Sequence, residues 1–163
     1  MVEPTVALYG AAFEKAVGVL DELLRESGAR YAMLVDRKGF VLAHKEALWA
    51  PRPPALDSLA TLVAGNAAAT QALARMLGEL QFSEQVHQGQ HQSLYVEGAG
   101  EHALLLVIFD NSTPVGRVKL FARKSAQALA SIAAESVVSP QKLGIDTEYR
   151  EGANALLDEL FGS

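Results

Sequence analysis

The histidines are the first residues whose type and spacing could support chemistry. His87 and His91 lie four residues apart, a spacing that brings two metal-binding imidazoles together on one face of a helix. The segment around them has the pattern of a polar strand and a turn, however, and not of a helix. No carboxylate stands at a useful ligand spacing, and the chain has no cysteine. The sequence therefore predicts no metal site, and we interpret His44 and His102 as ordinary edge residues.

The sequence gives equally little support for nucleophilic catalysis or for phosphate binding. Ser58, His44 and Asp57 have the residue types of a hydrolytic triad, but nothing in the sequence places the serine on a nucleophile elbow. Residues 98–100, Gly-Ala-Gly, lack the Lys and Ser/Thr that complete a phosphate-binding loop, so we interpret them as a hairpin turn. We expect no catalytic residues, no cofactor and no nucleotide bound by this chain.

Composition and charge narrow the classes of partner. The chain has 163 residues, half of them hydrophobic, and a formal net charge of −5, which is typical of one globular domain. With no basic stripe, nucleic acid and anionic membranes are poor partners. No signal peptide is recognisable, and the longest apolar run, residues 103–109, is too short to cross a bilayer. We expect a cytoplasmic protein with no membrane insertion.

Apolar periodicity and turn residues predict the element order α-β-β-α-β-β-β-α. Helices are predicted at residues 5–27, 58–79 and 114–136, and strands at 31–35, 40–44, 84–89, 90–97 and 102–109. This order predicts an α+β sandwich, a five-stranded antiparallel sheet between helices, over residues 5–136. Residues 137–163 form a C-terminal extension, in which 146–161 can make an amphipathic helix.

Two local signals fix the ends of predicted elements. Asp36 and Gly39 enclose a four-residue turn between the first two strands, because Asp bonds to its own backbone and Gly accepts a positive φ. The proline-rich segment 47–56 predicts a stiff loop, with Asp57 or Ser58 as the cap of the middle helix.

The middle helix carries bare alanine where a surface helix usually carries charge. One side is predicted to face the core and holds Leu59, Leu62, Val63, Asn66, Thr70, Leu73, Leu77 and Leu80. The opposite side is predicted to face outward and holds Thr61, Ala64, Ala68, Ala72, Arg75 and Glu79. A flat alanine strip would let the backbone of another protein approach closely. The alternative is that alanine stands there only as the best helix former.

These features together resemble the roadblock/LC7 family over residues 13–136. The resemblance is carried by the element order, the LVDRKGFVLA hairpin, the small-residue middle helix and the ALLLVIFDNSTPVGRVKL passage. It implies a homodimer whose sheets join through the polar strand 84–89 and whose middle helices lie side by side. The implied dimer-interface residues are Ala60, Ala67, Ala74, Glu84, Val86 and Gln88.

The resemblance also implies a partner. In the bacterial members that this chain resembles most, the dimer binds a Ras-like small GTPase in its GTP-bound form and stimulates GTP hydrolysis, in cell polarity and motility. The resemblance further implies that the protein is cytoplasmic and concentrated at a cell pole. The implied GTPase-binding residues are Thr61, Ala64, Ala68, Gln71, Ala72 and Arg75.

Arg75 has the position expected of an arginine finger, beside the alanine strip. The competing interpretation is a solvated helix residue paired with Glu79 one turn on. The resemblance favours the second, because such proteins reposition the catalytic residues of the GTPase and insert no finger. Two other functions stay open: a roadblock scaffold that does not affect hydrolysis, and a small-molecule sensor of profilin-like or PAS-like architecture.

Overall fold

The computed structural model of the chain describes residues 5–138. In chain order the elements are β1 (Thr5–Val6), α1 (Gly10–Ser27), β2 (Tyr31–Asp36), β3 (Val41–Glu46), α2 (Leu56–Met76), β4 (Glu84–Gln88), β5 (Gln92–Ala99), β6 (Ala103–Asp110), α3 (Val115–Glu135) and β7 (Val137–Val138). The predicted order is confirmed, with one short strand added at each end. The helix predicted over 146–161 lies outside the described residues. None of the helices within 5–138 has the length and apolarity needed to span a membrane.

The main sheet is antiparallel throughout, with strand order β3-β2-β6-β5-β4. Helices α1 and α3 cover one face and α2 covers the other. The predicted α+β sandwich is therefore confirmed. Strand β6 is apolar and almost wholly buried because it lies in the centre of the sheet with helices on both sides. Strand β4 is polar and, among the described residues, forms one free edge of the sheet.

The two faces of the sheet have cores of different composition. The core between the sheet and helices α1 and α3 holds large side chains, including Leu20, Tyr95, Phe109 and Leu129. The core between the sheet and α2 is a smaller cluster of Met33, Val35, Ala60, Val63, Val96, Leu104 and Leu106. Strand β5 shows the division directly, since Tyr95 belongs to the first core and Val96 to the second, as alternation along a strand requires.

The N-terminal helix is shorter than predicted. Helix α1 begins at Gly10, and residues 5–6 are extended and pair with Val137–Val138 in a separate two-stranded sheet. Thr and Val are β-branched, which favours a strand over a helix. The positive φ of Gly10, 61°, then turns the chain into the helix. The first and last described residues are thereby joined.

The β2–β3 turn has the predicted chemistry. Asp36 Oδ1 accepts hydrogen bonds from the backbone N–H groups of Lys38 at 3.0 Å and Phe40 at 2.9 Å, and Gly39 has φ 99°. The start of α2 differs from the prediction. Its N-cap is Ala55, with no side-chain cap, so Asp57 lies inside the first turn, where its charge favours the helix dipole.

We expect Gly39→Ala to lower the free energy of unfolding by about 1–3 kcal/mol. A Cβ at this positive φ would stand 3.0 Å from the Cα of Thr61 on α2, so both the turn and the helix must yield. Gly65→Ala is the matched control, because a Cβ there meets nothing within 4 Å. It should stabilise the helix by up to about 1 kcal/mol. Urea unfolding of both variants measures this, and equal effects would contradict the close approach of turn and helix.

Candidate functional site

Helix α2 rests on the sheet through small side chains. Ala60 and Ala74 are fully buried, and Val63 and Ala64 each keep only 7% of their surface exposed. The partly buried Leu56, Leu59 and Ala67 complete this inner face. Since β2 and β6 fill the space below with large side chains such as Met33, Leu104 and Leu106, a close fit leaves room for little more than methyl groups.

The predicted core side is therefore wrong for most of the leucines that were assigned to it. Leu62, Leu73, Leu77 and Leu80 are 72%, 58%, 73% and 86% exposed. At about 100° per residue, the buried side is rotated by roughly 80° from the predicted one. Only Leu59 and Val63 of the predicted aliphatic residues face the sheet. A helix that is apolar on all sides needs a partner on its outer face as well as the sheet on its inner face. The apolar residues all around this helix were already visible in the sequence.

The predicted GTPase-binding residues separate into exposed and buried sets. Thr61, Ala68, Ala72 and Arg75 are exposed and lie along one side of α2; we call them the alanine flank. Gln71 is half-buried. Ala64 is buried, with its methyl group near the β2–β3 turn at Gly39, so it offers almost no surface to a partner in this structure.

The predicted dimer-interface residues also separate. Ala60 and Ala74 are fully buried within one chain, so neither presents surface to a second chain in this structure. Ala67 is half-buried, whereas Val86 is 38% exposed and Gln88 is exposed on the free edge of β4. The side chain of Glu84, also on β4, is engaged within the chain.

Strand β4 is fastened to α3 by that glutamate. Glu84 Oε1 lies 2.5 Å from Lys119 Nζ, Glu84 Oε2 lies 3.7 Å from an Arg123 nitrogen, and the Tyr95 hydroxyl donates to Oε2 at 2.9 Å. Burial raises the pKa of Glu84, but the hydrogen bonds from Lys119 and Tyr95 and the two positive charges outweigh it, so the net pKa is lowered. Glu84 is therefore an ionised anchor between the edge strand and the helix.

The exposed leucines form a second surface that the sequence analysis assigned to the core. Leu62, Ala69, Leu73 and Met76 lie together on α2, about 100° around the helix from the alanine flank; we call them the leucine flank. All four are exposed. Thr70, on the same side of the helix, approaches Gln85 of β4 with its Oγ1 at 3.4 Å from Oε1. The leucine flank therefore faces the β4 edge, and the alanine flank faces the β2–β3 turn.

Arg75 is exposed in the last turn of α2. Within residues 5–138 no ion pair joins it to Glu79, so the predicted i,i+4 pair is not formed there. Its guanidinium extends from the end of the alanine flank. Trp49, in the proline-rich loop, is 59% exposed and stacks under Arg30, whose guanidinium carbon lies 5.9 Å from the ring centroid.

Comparison with known proteins gives this fold a family. Residues 15–109 match the Roadblock/LC7 domain. The chain belongs to the roadblock/LC7 family. The resemblance drawn from the hairpin, the middle helix and the third-helix passage is confirmed.

Among solved structures, this roadblock/LC7 chain is similar to several MglB proteins. MglB with a tetrameric arrangement is 67% identical, with TM-score 0.80 and coverage of 83% of this chain and 99% of that one. The gliding protein MglB of Thermus thermophilus is also 67% identical, with TM-score 0.79 and coverage of 82% and 99%. Myxococcus xanthus MglB is 37% identical, with TM-score 0.68 and coverage of 74% and 95%. No protein with a curated functional description matches the chain.

The orientation of α2 in this roadblock/LC7 chain can be tested by two neighbouring arginine substitutions. Ala74→Arg forces a charge into a fully buried position and should cost about 3 kcal/mol or more of unfolding free energy. Ala72→Arg, on the exposed alanine flank, should change it by less than about 0.5 kcal/mol. Chemical denaturation followed by circular dichroism distinguishes the two. Equal effects, or a larger effect at Ala72, would contradict the burial of Ala74 against the sheet.

Proposed function

We propose that this chain is the regulatory partner of a Ras-like small GTPase of the MglA type and that it stimulates GTP hydrolysis as a homodimer. The observation that carries the proposal is the pair of exposed flanks on α2 beside the free β4 edge. One flank is apolar and needs covering, and the other is flat enough to receive a partner. The similarity to proteins named MglB, over most of this chain, supports the same role.

Dimerisation through β4 follows from the free edge. A strand edge with unpaired backbone groups is a template for another strand, and β4 ends the sheet after β5. Val86 and Gln88 are exposed along that edge. Two copies joined edge to edge across a two-fold axis would extend one continuous sheet and bring both α2 helices onto the same face.

The leucine flank gives this arrangement its apolar contact. Because Thr70 reaches Gln85 of β4, the leucine side of α2 points toward the edge where the second copy is added. Leu62 and Leu73 of each chain would then cover those of the other. Burying a leucine side chain that is otherwise exposed contributes about 1.5–3 kcal/mol, so two from each copy are a substantial part of a dimer contact.

The alanine flank is left for the GTPase. Ala68 and Ala72 project no more than a methyl group from the helix surface, and Thr61 adds a short hydroxyl side chain. A partner backbone can therefore approach α2 closely over two turns. Because this flank faces away from β4, dimer contact and GTPase contact use different sides of the helix.

The dimer stimulates GTP hydrolysis by acting on the conformation of the GTPase. Hydrolysis of GTP requires an oriented water and positive charge near the transferred phosphoryl group. The alanine flank holds one cation, Arg75, at its end, and its other members cannot stabilise phosphate charge. We infer that the dimer selects the conformation in which the switch regions of the GTPase place its own Arg and Gln, and binds GTP-loaded GTPase for that reason.

One substitution on each flank should distinguish the role of the alanine flank from that of the leucine flank. Ala68→Arg places a long charged side chain on the alanine flank and should abolish GTPase binding, at least about 100-fold in Kd, with the dimer intact. Leu73→Arg charges the leucine flank and should dissociate the dimer. Light scattering reports the oligomeric state, and titration calorimetry with GTP-loaded MglA-type GTPase of the same organism reports binding. Binding that survives Ala68→Arg would place the docking surface elsewhere.

Arg75→Ala should leave GTPase activation within about threefold of the unsubstituted chain, since removal of a true arginine finger costs about 10³–10⁵ in rate. Single-turnover GTP hydrolysis, with and without this chain, is the measurement. A loss of 100-fold or more would establish Arg75 as a finger and overturn the conformational mechanism. Binding without any acceleration by the unsubstituted chain would instead indicate the scaffold function.

A further inference from the structure

Two glutamates lie directly opposite each other at the edge of the sheet. Glu84 on β4 is the cross-strand partner of Glu97 on β5. Between them stands the hydroxyl of Tyr95, 2.9 Å from Glu84 Oε2 and 3.3 Å from Glu97 Oε1. Like charges directly opposite in an antiparallel pair are destabilising, so the arrangement requires an explanation.

A count of hydrogens decides how the three groups can bond. A tyrosine hydroxyl has one hydrogen to donate, and the shorter contact assigns it to Glu84. The contact between Tyr95 and Glu97 then lacks a hydrogen unless Glu97 supplies it. A protonated Glu97 donates to the Tyr95 oxygen, Tyr95 donates to Glu84, and Glu84 accepts from Lys119. With an ionised Glu97 the same contact would set two lone pairs against each other.

Burial supports the same assignment. Glu97 keeps 8% of its surface exposed, and its Oε2 is sealed from solvent without a hydrogen-bond partner among the described residues. The charged groups near it are Glu84 from β4 and Lys119 and Arg123 from α3, and both cations form ion pairs with Glu84. On its other side the partner in β6 is Leu105. A buried carboxylate without a cation of its own is far costlier than the neutral acid.

We propose that Glu97 carries a proton in the folded chain and that this proton completes a brace, from Glu97 through Tyr95 and Glu84 to Lys119, that holds the edge strand β4 to α3. Loss of the proton breaks the first link and sets two carboxylates against each other across the strand pair. The brace is therefore a pH-sensitive attachment of the free edge of the sheet.

The titration behaviour of the cluster has the required direction. Burial, helped by the negative charge of Glu84, raises the pKa of Glu97 and outweighs the lowering effects of the Arg123 and Lys119 charges. Burial, followed by the bond to Glu84, also raises the pKa of Tyr95, so its hydroxyl stays protonated. Because the folded chain holds the Glu97 proton more tightly than the unfolded chain, this contribution is complete below the ordinary glutamate pKa. It is lost as pH rises through the folded pKa.

Carboxyl NMR of the full chain, labelled with ¹³C-glutamate, tests the protonation directly. Glu97→Gln assigns the signal by removing it. We expect the Glu97 carboxyl of the folded chain to titrate at clearly higher pH than the glutamates of the same chain unfolded in urea. A Glu97 midpoint in the folded chain at or below that of the unfolded chain would overturn the proposal.

Hydrogen exchange tests the effect on the strand. Between the ordinary glutamate pKa and the Glu97 midpoint, the opening constant of the β4 amides, corrected for intrinsic exchange, should rise by up to about tenfold per pH unit, the limit for one released proton, and it should level off above the midpoint. Glu97→Gln keeps a donor for Tyr95 and should remove this dependence. Glu101→Gln makes the same substitution at an exposed glutamate on the following turn and should keep it. The same pH dependence in all three chains would contradict the brace.

Discussion

Helix α2 lies against the sheet largely through small side chains, because β2 and β6 already fill the space beneath it with Met33, Leu104 and Leu106. This constraint sets the rotation of the helix. Once the methyl groups of Ala60 and Ala74 face inward, Leu62 and Leu73 on the other side of the helix must face outward. The surface available to partners is thus a consequence of packing inside one chain.

The sheet edge obeys a second constraint, which is electrostatic. A polar strand such as β4 has little apolar surface with which to join a core, and it is held instead by Glu84, Lys119, Arg123 and Tyr95. These groups lie on the α1/α3 face of the strand. The other face carries Gln85 toward α2. The contacts with α3 therefore hold the edge strand in place, while its outer backbone stays available to another strand.

Most of the fold was predictable because its signals are local. The turn at Asp36 and Gly39 depends on two residues that bond to or bend their own backbone. Strand β6 is recognisable as a central strand because its apolar run has no polar alternation. The strand at Thr5–Val6 was missed, since its partner Val137–Val138 lies at the other end of the domain and nothing near it in sequence indicates a strand.

The candidate site was predictable in place but not in detail. The sequence located it on the middle helix, whereas the inward side was assigned by the rule that large aliphatic residues are buried. That rule fails when the opposing surface is itself large, as Met33 and Leu106 make it. Ala64 and Ala68 are one turn apart and have the same residue type, yet one is sealed and the other exposed. Only the tertiary contact at Gly39 separates them.

Alanine therefore has two roles on one helix, and the same physical property serves both. Inside the chain a methyl group lets α2 come close to the sheet and to the Gly39 turn. Outside, on Ala68 and Ala72, it leaves a surface that a second backbone can approach. A helix built for close approach on two sides has no room for the charges that normally solubilise a surface helix. Its exposed leucines then require a cover, and a second copy added at the β4 edge would supply one.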